Sequence, residues 1–348
     1  MKVQEAIAVT MVLLAWIPLA SAQANRPLML EQTIGLPDGR GRIDHLSLDV
    51  AGQRLFVPAL GNDTIEVVDL KTGKRVHTIS GLKEPQGALY VTEKNRLFVA
   101  SGKDGTVKMC DATSFQLLKT VGCGDDAGNL RYDVARGRVY VGFGSGALGE
   151  LDTGGQKIAE TKLDAHPESF QLEKGSPRTY VNSPGSRKVA VVEREAHSVA
   201  TSWGMGLTLA NYAMALDEAD HRLFVVSRAP ARLVVMDTST GKVVQKLPAV
   251  GDCDDIFWDA SRKSIYATGG DGAISVFEQQ DADHYKEIAR VPTVKGARTS
   301  FLSADLGRLY AQYGSKVRLQ HKFRSTRSVN KGTHGRLGAT PPTSRRVS

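Results

Sequence analysis

Hydrophobic and polar residues alternate along most of this chain with the two-residue period of β-strands. The segments "TIEVVDL" (64–70) and "TVKMCDA" (106–112) show this alternation, and Gly, Asn, Asp and Lys residues between such segments favour tight turns. No part of the chain between residues 28 and 323 keeps a helical spacing of apolar residues over three turns. The pattern therefore predicts an all-β protein.

A short strand pattern recurs seven times. Each copy begins with an arginine or serine followed by apolar residues, as in "RLFV" or "RVYV", and the intervals are 42, 42, 40, 44, 42 and 44 residues. Each unit of about 40 residues holds four strand-like stretches, which is typical of a β-propeller blade. We therefore predict a seven-bladed β-propeller with four-stranded blades. We call the first residue of each copy its anchor: Arg54, Arg96, Arg138, Arg178, Arg222, Ser264 and Arg308.

The two ends of the repeat region predict how the ring closes. Before the first unit, "LMLEQTI" (28–34) has the pattern of a strand without a blade of its own. The last unit offers "TSFLSA", "RLYAQY" and a third strand "KVRLQHKF" (316–323), and so lacks a fourth. Because an open blade edge leaves backbone groups unpaired, we expect the amino-terminal strand to supply the fourth strand.

These repeats resemble the YVTN-repeat (YncE-like) family of seven-bladed β-propellers. "RLFVPALGNDTIEVVDLKTGKRVHTI", which begins at Arg54, and "RLVVMDTSTGKVVQKL", which begins at Arg232, follow the strand-turn-strand consensus of that family. The resemblance covers residues from about 28 to 323. It implies the propeller fold and an exported binding or scaffold protein, and it does not imply a particular ligand.

The segments outside the repeats have different compositions. Residues 1–22 have a positive start, an apolar run and the small-residue site Ala20-Ser21-Ala22, which predicts a cleaved signal peptide and a periplasmic or secreted protein without a transmembrane span. Residues 324–348 form a basic tail poor in apolar residues, for which we expect disorder; a shifted reading frame would give the same change in composition.

The net charge of +8 comes from the carboxyl-terminal end. Nine Lys or Arg and no Asp or Glu lie between 316 and 348, so 36 basic residues face 37 acidic ones in the rest of the chain. A near-neutral propeller body argues against specific nucleic-acid binding, which needs basic residues across the binding face.

The repeat register brings one set of side chains to the central channel. The positions ten and nine residues before each anchor begin the innermost strand of every blade, where the blades converge. Asp125, Asp126, His166 and Asp252 lie slightly farther out. The candidate ligand-binding residues at this channel mouth are Asp44, His45, Gln86, Asn129, Glu168, Asn211, Asp254, Asp255 and Arg298.

Two chemistries would use this set, and a rim of solvated polar residues without a ligand is the third alternative. Arg298 with His45, Gln86 and Asn129 would bind a carboxylate or phosphate. Alternatively, Glu168, Asn129, Asn211 and Asp254 would hold a divalent cation such as calcium through oxygen ligands.

The cation set is similar in residue type to the metal site of six-bladed lactonase propellers. In architecture the chain also resembles streptogramin-type lyases, for which His45 would be the catalytic base. The sequence therefore predicts a protein that binds a small molecule, peptide or protein partner at the channel mouth. A metal-dependent lactonase- or lyase-type enzyme is the alternative.

Overall fold

The computed structural model describes residues 27–313 and the strand formed by residues 321–328. These residues form antiparallel four-stranded sheets that follow one another along the chain. The second strand of every sheet begins at its predicted anchor residue. The predicted signal peptide (1–22) and the part of the predicted tail after residue 328 lie outside the described residues.

Six of the sheets are built from four consecutive strands each, ordered from the channel to the periphery. Their innermost strands are β2 (Ser47–Asp49), β6 (Pro85–Val91), β10 (Leu130–Asp133), β14 (Phe170–Leu172), β18 (Leu209–Asp217) and β22 (Cys253–Asp259). Their second strands are β3 (Arg54–Ala59), β7 (Arg96–Ser101), β11 (Arg138–Phe143), β15 (Arg178–Ser183), β19 (Arg222–Ala229) and β23 (Ser264–Gly269).

The outer half of each of these blades is a second hairpin. The third strands are β4 (Thr64–Asp69), β8 (Thr106–Asp111), β12 (Ala147–Asp152), β16 (Lys188–Glu193), β20 (Ala231–Asp237) and β24 (Ala273–Gln279). The outermost strands are β5 (Lys74–Ile79), β9 (Leu117–Gly122), β13 (Lys157–Lys162), β17 (Ser198–Gly204), β21 (Val243–Pro248) and β25 (Tyr285–Pro292). Short 3₁₀ turns occur at Leu60–Asn62, Thr92–Lys94 and Pro184–Ser186.

The last sheet requires a correction to the prediction of seven blades. Six blades, not seven, consist of consecutive strands, and a composite sheet completes the ring with the order β1-β28-β27-β26. It contains β26 (Ser300–Ser303), β27 (Arg308–Tyr313), β28 (His321–Ser328) and the amino-terminal strand β1 (Leu28–Leu36). Since β1 has no blade of its own, it pairs with the other end of the chain, at the outer edge of this sheet.

The composite sheet also shifts the predicted end of the propeller. The third strand was predicted at 316–323, but β28 begins at His321 and ends at Ser328. It pairs with the whole of β27, from Arg308 opposite Arg327 to Tyr313 opposite Lys322. Residues 324–328, predicted as the beginning of a disordered tail, therefore belong to a strand.

Neighbouring innermost strands contact one another around the ring, and side-chain contacts join the composite sheet to the first blade. The Oγ1 of Thr299, at the start of the composite sheet, donates to the carbonyl of Ile43 in the first blade at 3.0 Å. Ile34, Leu36 and Tyr310 pack with Ile43 in one buried cluster at the same junction. Apolar packing between adjacent sheets thus forms the core, and it holds the channel-facing strands in place.

Candidate functional site

One cavity of about 280 Å³ opens at the channel mouth, and we call it the mouth cavity. All seven residues ten positions before the anchors line it, which shows that the register read from the sequence is the register of the fold. Its lining consists of Arg42, Asp44, His45, Gln86, Asp126, Gly128, Asn129, His166, Pro167, Glu168, Tyr212, Arg228, Asp254 and Arg298.

Three of the innermost strands use a β-bulge to present these side chains. The strand register shifts around Gln86, around Tyr212 and around Asp254, so that each of these residues is extra to the ladder. A bulged residue leaves the regular alternation and can be aimed elsewhere, which is why bulges are common beside binding sites. Here the bulges turn all three side chains to the mouth cavity.

Two of the nine candidate residues do not line the mouth cavity. The side-chain amide of Asn211 donates to the Oδ1 of Asn182 and to the carbonyl of Lys188, both at 3.0 Å. Asn211 is fully buried and ties two neighbouring blades together, because the bulge at Tyr212 directs it away from the channel. Asp255 lies deeper in the channel, where it lines a second cavity. The other seven candidates line the mouth, and their role in ligand binding stays a prediction.

His45 lies between two carboxylates. Its Nδ1 is 3.2 Å from the Oδ1 of Asp255, and its Nε2 is 3.6 Å from the Oδ1 of Asp44. Burial by itself lowers the pKa of His45, but the attraction of Asp255 and Asp44 outweighs burial and raises this pKa to about 9. The imidazole is therefore protonated at neutral pH, and it links the first blade to the sixth.

The arginines of the mouth are already paired with carboxylates. Arg42 lies 2.6 Å from Asp44, and Arg298 lies 2.9 Å from Asp252. Arg228 forms a close ion pair with Asp254, and its guanidinium carbon lies 3.9 Å from the ring centre of Tyr212. These pairs leave little positive charge for a ligand to neutralise.

Burial shifts the pKa values of two paired carboxyls of the mouth, Asp254 and Asp44, upward. Burial raises the pKa of Asp254 to about 7, although Arg228 opposes the shift. Burial also raises the pKa of Asp44. A raised carboxyl pKa means that the protein environment disfavours the charged form, so these groups gain from a further donor or cation.

Glu168 differs from the other carboxylates of the mouth. Its backbone N–H donates to the carbonyl of Asn182 at 2.9 Å, which fixes its position at the start of the fourth innermost strand. Within residues 27–313, no hydrogen bond or ion pair reaches its side-chain carboxylate. Burial raises the pKa of this carboxyl, with His166 and His45 opposing. Glu168 is thus a partly buried acceptor that faces the cavity.

Two arginines of the mouth, Arg42 and Arg228, were not singled out in the sequence. Arg42 is twelve residues before its anchor, in the same register as Asp126, His166 and Asp252, which had been noticed only as outlying residues. Arg228 lies six residues after its anchor, where the other units carry Leu, Gly or Pro. Arg228 is therefore the one charged residue at its repeat position, and that signal was available in the sequence.

The predicted cation set is only partly brought together. Glu168, Asn129 and Asp254 line the mouth, whereas Asn211 faces away and Asp254 is paired with Arg228. Among the described residues, no group of three or more His, Cys, Asp or Glu is arranged to hold a metal ion. Within the same residues, no helix is long and apolar enough to cross a membrane.

Comparisons with known proteins agree with the propeller arrangement. No family model matches the chain. It is 22% identical over 284 residues to the uncharacterized protein YncE of Salmonella typhi, covering 78% of this chain and 68% of YncE, and equally to YncE of Salmonella typhimurium.

Two solved structures share the fold at low sequence identity. A chain of a mitotic checkpoint complex has a TM-score of 0.74 at 14% identity, covering 94% of this chain and 99% of that chain. A chain of Kuenenia stuttgartiensis hydrazine synthase has a TM-score of 0.68 at 16% identity, covering 86% of this chain and 96% of that chain. The similarity to YncE and the propeller arrangement of the sheets together confirm the resemblance to YncE-like β-propellers that the repeats predicted.

Proposed function

We propose that this chain is an exported YncE-like β-propeller that binds a small polar ligand, or the polar end of a larger partner, at the mouth cavity. The observation that carries the proposal is the carboxylate of Glu168, which has no partner among residues 27–313, in a cavity where the arginines are already paired. Binding pockets are concave and largely preformed, and a few precisely placed polar groups orient the ligand; Glu168 would be such a group here.

The charges around the cavity favour a ligand that donates hydrogen bonds, above all an amine or guanidinium. Arg42 and Arg298 face carboxylates of the protein itself, at 2.6 Å and 2.9 Å. An anionic ligand would have to compete with Asp252 and Asp254 for Arg298, so the carboxylate or phosphate chemistry predicted for Arg298 is disfavoured. A cationic group beside Glu168 would instead form a new charge-assisted hydrogen bond.

Binding without catalysis fits the site better than a lyase reaction. A general base must be unprotonated at the working pH, and His45, with a pKa of about 9, is protonated at neutral pH. A lactonase-type cation site would need the oxygen of Asn211, which is buried between two blades. Export, the ligand and any larger partner are part of the proposal.

A thermal-shift and calorimetry screen tests the proposal with defined probes: methylamine, putrescine, glucose, citrate and calcium. We expect the amines to raise the melting temperature, and the Glu168→Gln substitution to weaken amine binding by about tenfold or more, since a hydrogen bond to a charged group is lost. Glu195→Gln is the matched control, because Glu195 is exposed and pairs with Arg136 outside the mouth.

The same variant should not unfold more easily. Since burial raises the pKa of Glu168, the fold disfavours its charge, and Glu168→Gln should leave the free energy of unfolding unchanged or raise it by up to about 1 kcal/mol. If amines bind the wild-type protein and Glu168→Gln with equal affinity, or bind neither, the proposed site is wrong.

A further inference from the structure

A second cavity of about 250 Å³ lies in the channel below the mouth, and we call it the channel cavity. Its walls come from the residues seven positions before the anchors, which face the channel from every innermost strand. Six of these seven residues line it: Ser47, Leu89, Arg131, Gln171, Phe257 and Phe301. The seventh residue of this ring is Ala215.

Arg131 is the only charged residue of this ring. Its guanidinium donates to the carbonyl of Leu130 at 2.8 Å and makes longer contacts with Ser169 at 3.4 Å and Asn129 at 3.5 Å. Its guanidinium carbon lies 5.5 Å from the ring centre of Phe170, which holds the group in the channel. Within residues 27–313, no carboxylate lies within ion-pair distance of it.

The one carboxylate that lines the channel cavity is engaged elsewhere. Asp255 faces the Nδ1 of His45 at 3.2 Å, and its other oxygen accepts from the backbone N–H of Ser300 at 2.8 Å. Asp255 attracts Arg131 from beyond ion-pair distance, but Asp255 is engaged by His45 and Ser300, so Arg131 has no direct carboxylate partner within residues 27–313. Burial lowers the pKa of Arg131, which shows the cost of holding this charge away from water.

The remaining walls are mostly apolar, with Ser47, Gln171 and Ser300 as polar exceptions beside His45 and Asp255. The rings of Phe257 and Phe301 meet edge to face at 6.3 Å, and Leu46, Leu89 and Leu130 line the same cavity. The space corresponds to about eight water molecules at roughly 30 Å³ each. An arginine without an ion pair, in a mostly apolar pocket of this size, suits one negative charge on an apolar body, whereas inorganic phosphate would need more donors than Arg131 supplies.

We propose that the channel cavity binds a small organic monocarboxylate with an aromatic or short aliphatic body. The carboxylate pairs with the guanidinium of Arg131, and the body packs against Phe257 and Phe301. This site is separate from the mouth cavity and does not depend on the function proposed for the mouth.

Isothermal titration calorimetry on the purified full chain tests the proposal with benzoate, hexanoate, inorganic phosphate and benzylamine. We expect benzoate and hexanoate to bind more tightly than phosphate, and benzylamine not to enter the channel cavity. Arg131→Gln should weaken benzoate binding by about tenfold or more. Arg290→Gln removes an exposed arginine from an outermost strand and is the matched control for the loss of one positive charge.

Two further measurements keep the proposal open to contradiction. Should Arg131→Gln not fold, Gln171→Glu places a carboxylate in the same cavity and should abolish benzoate binding. Saturating putrescine, the probe for the mouth, should not displace benzoate. Equal benzoate affinity in the wild type and Arg131→Gln, displacement by putrescine, or no binding of either carboxylate at millimolar concentration would each overturn the channel site.

Discussion

The mouth and the channel ring are built from the same strands, only three residues apart along each, yet they differ in how charge is balanced. At the mouth, Arg42, Arg228 and Arg298 are each paired with a carboxylate. In the ring below, Arg131 has no carboxylate partner among the described residues. Both of our proposals therefore rest on a group without a direct partner, Glu168 at the mouth and Arg131 in the ring, and not on the number of polar residues.

His45 and Asp255 form the boundary between the two regions. The pair spans the channel from the first blade to the sixth, and Asp255 also holds the backbone of Ser300 at the start of the composite sheet. Both cavities are lined by His45. The pair therefore links the ring closure to the floor of the mouth.

The largest expected effect on stability comes from breaking the His45–Asp255 pair. Asp255→Ala leaves protonated His45 with only Asp44 and leaves the N–H of Ser300 without an acceptor, in a buried place. Breaking a buried charge pair from one side costs about 3 to 5 kcal/mol, and we expect a loss of that size in the free energy of unfolding from urea denaturation.

Asp281→Ala is the matched control for that measurement. Asp281 pairs with His284 at 2.8 Å, but both side chains are exposed, so its loss should destabilise the fold far less than the loss of Asp255. Similar losses in the two variants would show that the channel pair has no special structural role.

The second expected effect is a dependence on pH of the stability that His45 contributes. The folded pKa of His45, about 9, exceeds the unfolded value of about 6.5, so the protonated form stabilises the fold. This stabilisation is complete below about pH 6.5 and disappears as the pH rises through about 9. The advantage of wild type over His45→Gln in unfolding free energy should therefore fall by on the order of 2 to 3 kcal/mol across that window. Parallel pH profiles for the two proteins would contradict the assigned charge state.

The smallest expected effect is the difference in unfolding free energy between an Arg→Gln substitution at the mouth and one in the channel ring. Arg228→Gln removes the closest partner of Asp254 and should lower the unfolding free energy by about 2 kcal/mol. Arg131→Gln removes a desolvated charge without an ion-pair partner, and stability should stay within about 1 kcal/mol of wild type. Chemical denaturation measures the unfolding free energy of both variants. A larger decrease for Arg131→Gln than for Arg228→Gln would contradict the assignment of Arg131 as the unpaired charge and Arg228 as the paired one.

Much of the fold could be predicted because the repeats fix the register. The anchors coincide with the first residues of the second strands, and every residue ten positions before an anchor lines the mouth. The end of the propeller was less predictable. The position of β28 depends on pairing with β1 and β27, which are distant in sequence, and not on a local apolar pattern.

The repeat register predicted most residues that line the mouth cavity, but not how their charges are paired. Asn211 was placed at the mouth because it directly precedes Tyr212, the register position of the fifth unit, and the bulge at Tyr212 directs Asn211 away from the channel. The arginine proposed to bind an anion, Arg298, is neutralised by Asp252 from the neighbouring blade, a contact that spacing along the chain does not show. Charge pairing between blades depends on the tertiary structure, so it cannot be inferred from the spacing of residues along the chain.

The bulges at Gln86, Tyr212 and Asp254 have a consequence for how this scaffold can acquire new specificities. Each bulged residue is extra to the hydrogen-bond ladder, so its side chain can be exchanged while the pairing of its blade is preserved. Under the proposed function, the ring is a constant framework and the bulges are exchangeable recognition positions, as the loops of an antibody are on their sandwich. A codon library restricted to these three positions would sample new ligand preferences on an unchanged backbone.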